Sequence, residues 1–300
     1  KYEEGNIEFL KKYTQTKYHL KRIHPVSISE LKSRLNKKNT FYIRSGKSNC
    51  LEGLETGIGQ KDDISLNKKP FVTVVDYGCG NLFSVEHALK EIGANFKISS
   101  DPEIIARADK LLLPGVGAFA DGMRNLEERG LIKPVVEHVK NNKPILGICL
   151  GMQLLLGESE EFGLHKGFNF IKGRVVKFQV HKKDAFKIPH IGWNTIKLPY
   201  ESEAQNENNA NGLWKNTILE NVLPEDLMYF VHSYVVVPDN KIYVLAQTPY
   251  AGSMFCSVIR RDNIYGCQFH PERSGKPGLF IYRQFVFGKT EVANERDIKS

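Results

Sequence analysis

KPILGICLGMQLLL, residues 143–156, decides the fold. Its first half is a short apolar run suited to a strand buried on both faces, and its second half is compatible with a helix. Cys149 stands between them, flanked by Gly147 and Gly151. A strand that turns sharply into a helix around such a residue is a nucleophile elbow, with cysteine where the better-known hydrolases carry serine. A thiol there sits at a helix N-terminus, where partial positive charge favours the thiolate and the N–H of Leu150 can face a developing oxyanion. A lone cysteine is otherwise most often a buried core residue, so Cys149 takes its meaning from its partners.

The same alternation runs upstream. FVTVVDYG (71–78) is a β-branched run closed by glycine, and GNLFSVEHALKEIG (80–93) has helical apolar spacing and a C-cap-like Gly93. FKISSD (96–101) and KLLLPGVG (110–117) follow, then a long helical span expected over residues 119–140. Strands alternating with amphipathic helices predict an α/β fold around a mostly parallel sheet flanked by helices. Downstream, MYFVHSYVVV (228–237), KIYVLAQT (241–248) and FCSVIRRDNIYGCQFHP (255–271) are β-rich, the last turning at Asp262 and Asn263. They predict an antiparallel β extension at one edge.

Composition narrows the class. The chain has 300 residues, 41% hydrophobic and 25% charged, as in a soluble globular protein. It has neither an apolar run long enough to span a bilayer nor a signal-like first segment, so an intracellular, cytoplasmic protein with no membrane partner is expected. Five scattered cysteines without a CxxC pair suggest neither a disulfide framework nor a metal site. The net charge of +8 is uneven: residues 1–70 hold 15 Lys and Arg against 8 Asp and Glu, leaving 27 against 26 for the rest. That leader reads as a basic extension ending in a turn-rich linker, and without a nucleic-acid motif it implies no nucleic-acid partner. Residues 71–288 read as the α/β domain and 289–300 as a charged tail. The asparagine-rich stretch 200–212 reads as an exposed insertion.

A thiol nucleophile needs a base, and the base needs an orienting group. QFHPE (268–272) supplies both, with His270 expected to close a strand and Glu272 near enough to hold its tautomer. In PGVGAF (114–119) the glycines let a backbone N–H turn toward a ligand, as an oxyanion hole requires. DYGCGN (76–81) lacks the GxGxxG spacing of a dinucleotide site, and Cys79 within it reads as structural. His190 and His232 lack metal-ligand spacing and read as structural or surface residues.

Together GxCxGxQ at Cys149 and the distant HPE at His270 resemble the class I, or triad, glutamine amidotransferases. DYGCGN, PGVGAF, PHIGWN (189–194), FVHSY (230–234) and QFHPERS (268–274) resemble, more narrowly, the glutaminases of imidazole glycerol phosphate synthase. The likeness covers residues 71–287 in the family's order. It implies Cys149 as nucleophile, His270 as general base and acid, Glu272 as orienter, and Val116, Gly117 and Leu150 at the oxyanion hole. It implies that Gly117, Gln153, Glu161, Ser233 and Tyr234 hold L-glutamine, and that Asn81, Trp193, Tyr229 and Arg273 face a (β/α)8 cyclase, separate or fused. No cofactor or metal is implied. The family usually has lysine where this chain has Arg273, and arginine and lysine are not interchangeable at a shaped interface. A paralogous glutaminase serving sugar amidation, and a catalytically silent regulatory domain, are the alternatives.

Overall fold

The structure, a computed structural model, describes residues 70–179, 187–199 and 210–288. The chain divides into two units, Lys1–Asp62 and Asp63–Ser300, and every described residue belongs to the second. The basic leader with its linker, the tail at 289–300, and all but the last three residues of the asparagine-rich stretch lie outside the described residues.

In chain order the first half forms β1 (Phe71–Val75), α1 (Leu82–Glu91), β2 (Asn95–Ser99), α2 (Pro102–Arg107), β3 (Lys110–Gly115), α3 (Phe119–Glu128), α4 (Ile132–Lys140), β4 (Ile145–Cys149) and α5 (Leu150–Leu154). The second half forms β5 (Leu156–Ser159), β6 (His165–Lys166), β7 (Ile171–Lys177), β8 (His190–Thr195), α6 (Ala210–Leu213), β9 (Leu227–His232), β10 (Tyr234–Pro238), β11 (Val244–Tyr250), β12 (Ser253–Arg261), β13 (Ile264–Cys267) and α7 (Gly275–Phe287). Among the described residues one sheet has eleven strands, ordered β2-β1-β3-β4-β13-β12-β10-β7-β5-β6 with β11 on β12. Its first five strands pair in parallel, and the rest pair antiparallel apart from β5 with β7. The α/β class and the antiparallel extension are as the sequence led us to expect.

Side chains alternate across a strand, so a sheet covered on both sides buries two cores. Val72, Val74, Leu112, Leu146 and Ile148 pack on one face with Val85, Leu89, Ile281 and Phe285 of α1 and α7. Val75, Leu111, Leu113 and Ile145 pack on the other with Phe119, Leu126 and Val135 of α3 and α4. No described helix is long and apolar enough to cross a membrane.

Three local expectations need correction. The helical span 119–140 is two helices, because Gly130 takes a left-handed φ of 70°. Its N–H bonds Glu127 O at 2.9 Å and that of Leu131 bonds Leu126 O at 2.8 Å, a Schellman closure of α3. MYFVHSYVVV breaks at Ser233: β9 pairs with β8 in a separate two-stranded sheet, whereas β10 joins the large one against β7. The break is held by the His232 ring, whose Nδ1 bonds the Tyr234 carbonyl at 2.9 Å, and by Phe178 N donating to Ser233 O at 2.9 Å. Finally, β13 ends at Cys267, so His270 stands beyond the strand, its N–H bonded to Tyr229 O of β9 at 2.9 Å.

His190 and His232 face each other across β8 and β9 with Nδ1···Nε2 at 3.1 Å, and both are buried rather than at the surface. His138, equally buried, bonds Pro144 O through Nε2 at 2.9 Å. Burial pushes the pKa of His138 and of His190 down to about 4. Burial, then the neighbouring His190, pushes His232 to about 3. A folded-state pKa below the unfolded value of about 6.5 gives stability that is complete above pH 6.5 and lost as pH falls toward 4. Each proton taken up on unfolding steepens the loss by about 1.4 kcal/mol per pH unit. Urea titrations at pH 7, 6 and 5 should show the unfolding midpoint falling at each step; a midpoint unchanged to pH 5 contradicts this account.

Candidate active site

Cys149 is the last residue of β4 and caps α5 with φ 54° and ψ −106°, a left-handed conformation that non-glycine residues rarely adopt. The flanking glycines make it possible. A Cβ on Gly151 would collide with the Leu113 carbonyl of β3, and one on Gly147 would come 2.6 Å from the Gly151 carbonyl. Strand and helix therefore pass closer around Cys149 than side chains allow, which lifts the residue onto the edge of the sheet.

Parallel pairing brings the other parts to that edge. β3 lies on one side of β4 with Gly115 opposite Cys149, and β13 lies on the other with Cys267 opposite Ile148. PGVG, the elbow and QFHPE thus leave the carboxyl ends of three adjacent strands, where open α/β sheets place their ligands. Gly117 has φ +116° and open space around it, so glycine is required there by backbone conformation. Val116 is exposed.

His270 Nδ1 and Glu272 Oε1 are 2.7 Å apart, and both side chains are buried. Glu272 lies in the 3₁₀ turn Pro271–Arg273, and its Oε2 accepts from Tyr282 Oη of α7 at 3.4 Å. Ser274 Oγ donates to His270 O at 2.6 Å and accepts from Tyr229 N at 3.0 Å, strapping this turn to β9. Burial lowers the pKa of His270, but the neighbouring Cys149 and Glu272 outweigh it and raise it to about 10, so imidazolium is the resting form at neutral pH. His270 Nε2 is a buried atom with no hydrogen-bond partner among the described residues. The ring thus has one edge anchored by a carboxylate and the other free for proton transfer.

The remaining expected residues fall into three groups. Gln153 Nε2 lies 3.4 Å from Tyr234 O and 3.3 Å from Gln268 Oε1. Glu161 Oε2 accepts the N–H of Phe119 at 2.7 Å, which ties it to the start of α3 just after Gly117; Ser233 lies half-buried beside Tyr234. Trp193 and Tyr229 stack edge to face at 5.8 Å, and the Arg273 guanidinium lies 4.3 Å from the Tyr229 ring centre, so an aromatic and cationic stack, exposed at Trp193 and Arg273 and half-buried at Tyr229, begins one residue after Glu272. Asn81, by contrast, caps α1: its Oδ1 accepts from Ser84 N at 3.3 Å. Sequence reading did not single out Gln268, Tyr282 or Ser274. Gln268 and Ser274 border the HPE run and were within sight, whereas nothing local marks Tyr282.

A thiol at a strand-to-helix elbow, beside a carboxylate-anchored imidazole and a glycine turn, defines a thiol-dependent acyl-transfer hydrolase on an α/β sheet. Residues 73–288 match the family described as glutamine amidotransferase class-I, and the chain belongs to that family. It is 46% identical over 217 residues to the imidazole glycerol phosphate synthase subunit HisH 1 of Legionella pneumophila strain Paris, a match covering 72% of this chain and 98% of that one. It is 45% identical over 213 residues to the subunit HisH of Aquifex aeolicus, covering 71% and 94%. The solved structure of PurLQS from Thermotoga maritima, 17% identical, superposes with a TM-score of 0.52 over 73% of this chain and 98% of that one, a likeness of fold.

Proposed function

We propose that this chain is the glutaminase of an imidazole glycerol phosphate synthase, hydrolysing L-glutamine and passing ammonia to a (β/α)8 cyclase in histidine biosynthesis. The observation that carries the reaction is the buried His270–Glu272 pair, 2.7 Å apart, beside the Cys149 elbow. The pathway rests on relatives at 45–46% identity that bear that synthase's name.

Cys149 Sγ, as thiolate, attacks the side-chain amide carbon of glutamine. The oxyanion is met by the Leu150 N–H and the turn at Val116 and Gly117. Imidazolium His270 then gives its Nε2 proton to the amide nitrogen, so that the C–N bond breaks and ammonia leaves a thioester. Water attacks the thioester with His270 taking its proton, and glutamate and thiolate are released. Glu272 holds the imidazole throughout, while Gln153, Glu161, Ser233 and Tyr234 surround the substrate. Hydrolysis is this chain's own step; the synthase's lyase step belongs to its cyclase. Free thiols persist most readily in a reducing compartment, and we take the cytoplasm as its location.

The test is glutamate release from glutamine by the full chain, with and without a cyclase of this pathway and its substrate. Release that rises on adding the cyclase and matches imidazole glycerol phosphate formed is expected; release indifferent to the cyclase would refute the pathway assignment. The stack of Trp193, Tyr229 and Arg273 is assigned to the cyclase interface, where buried aromatic and arginine anchors carry most of the affinity. R273A should weaken cyclase binding about tenfold, as 1.4 kcal/mol would, while unstimulated glutamine hydrolysis changes little. Unchanged affinity by titration calorimetry would remove Arg273 from the interface.

A further inference from the structure

We propose that Gln268 is a further residue of the reaction: its side-chain amide donates an N–H···S hydrogen bond to Cys149 Sγ, in an orientation imposed through Gln153 by the Tyr234 carbonyl. The inference rests on Cys149 being the nucleophile.

Gln268 is fully buried between the base and the elbow, its backbone N–H bonded to Ser257 O at 2.9 Å. Its Nε2 lies 3.8 Å from Cys149 Sγ. The oxygen and nitrogen of a glutamine amide are alike in shape, so which of them faces the sulfur has to be settled from the surroundings. Here they settle it. The Tyr234 carbonyl can only accept, so the Gln153 atom 3.4 Å from it must be Nε2. That same nitrogen lies 3.3 Å from Gln268, so the atom it meets there must be the oxygen. The other end of the Gln268 amide, facing Cys149, is therefore the NH₂ group. The opposite orientation would set two nitrogens against each other at one contact and an oxygen against the thiolate at the other.

The sulfur is also 3.8 Å from the Val231 carbonyl, which can only accept from a protonated thiol and repels a thiolate. Gln268 is then a side-chain donor, alongside imidazolium His270, that offsets this contact once the proton has gone to His270. A donor to the charged form favours that form, and a thiolate is both the nucleophile and the better acceptor. The relay has a second consequence. Both protons of Gln153 Nε2 are engaged, one by Tyr234 O and one by Gln268 Oε1, so Gln153 meets a ligand through its oxygen. The substrate-side segment at Ser233 and Tyr234 and the nucleophile are thereby joined by two amides.

Two variants separate a hydrogen-bond role from a packing role. Q268M keeps the volume and removes the donor, while Q268E keeps the shape and replaces the donor with an acceptor. The readout is the pH dependence of iodoacetamide alkylation at Cys149 in the full chain. It is followed by mass spectrometry of the Cys149 peptide, because Cys79, Cys256 and Cys267 are also free thiols. Q268M should move the profile to higher pH by about one unit, a tenfold slower alkylation on its rising limb, and Q268E should move it further. With the cyclase present, kcat for glutamine should fall about tenfold or more while KM stays within a few-fold. Profiles of both variants that overlay that of the unaltered chain would overturn the role of Gln268, with Cys149 still the nucleophile. An unaltered chain whose Cys149 peptide shows no pH-dependent alkylation would instead refute the nucleophile assignment. A Q268M chain that fails to fold leaves Q268E, isosteric with glutamine, to decide: an unmoved Q268E profile overturns the proposal.

Discussion

C149A abolishes glutamine-dependent turnover, lowering it by about 10⁴-fold or more, while the cyclase complex still forms product from added ammonia. The size of the loss follows from covalent chemistry: without Sγ there is no thioester, and the imidazole and oxyanion donors retain only a small residual catalysis. The left-handed backbone at Cys149 supplies a second readout from the same residue. At φ 54° alanine keeps the strain that cysteine bears, whereas glycine is free of it. C149G should therefore be as inactive as C149A and about 1 kcal/mol more stable. Glutaminase activity surviving in C149A would refute the nucleophile assignment, and equal melting temperatures for the two variants would refute the strained elbow.

G151A should unfold the domain or leave it insoluble. The methyl group it adds points at the Leu113 carbonyl, in the interior of β3, which is fixed by pairing with β4. Neither group is the flexible end of a side chain, so relief requires moving α5 off the sheet or breaking the ladder, at a cost of about 4 kcal/mol or more. G93A is the control. Gly93 has φ +70° and nothing within 4 Å of an added Cβ, so its cost is conformational alone, about 1 kcal/mol. Thermal unfolding of both distinguishes close packing from backbone strain, and a G151A melting temperature within a few degrees of G93A would contradict the packing account.

Both predictions concern a run of five residues whose chemistry is readable in the sequence. Gly147, Cys149 and Gly151 sit within one turn, and the spacing of His270 and Glu272 lets a 3₁₀ turn bring imidazole and carboxylate together. Features of this kind are local. The residues that meet are a few positions apart, and their contact is dictated by backbone geometry that any chain would share. The alternation of apolar strands with amphipathic helices was legible for the same reason, since the two-residue and 3.6-residue periods express which faces are buried. Where the pattern was continuous, local reading overran: residues 119–140 kept a helical rhythm through Gly130, and MYFVHSYVVV kept a strand rhythm through Ser233 although its two halves serve different sheets.

By itself, then, the sequence determined the α/β class, the elbow and the HPE pair, because each follows from neighbours along the chain. Only the tertiary structure decided that β13 lies beside β4, with Ile264 opposite Ile145, and so carries His270 to Cys149. It alone set the Tyr282 hydroxyl against Glu272 and the Gln153–Gln268 relay against the sulfur. Strand order depends on which apolar faces find each other across the whole sheet, a quantity summed over two cores, and no window of a few residues contains it.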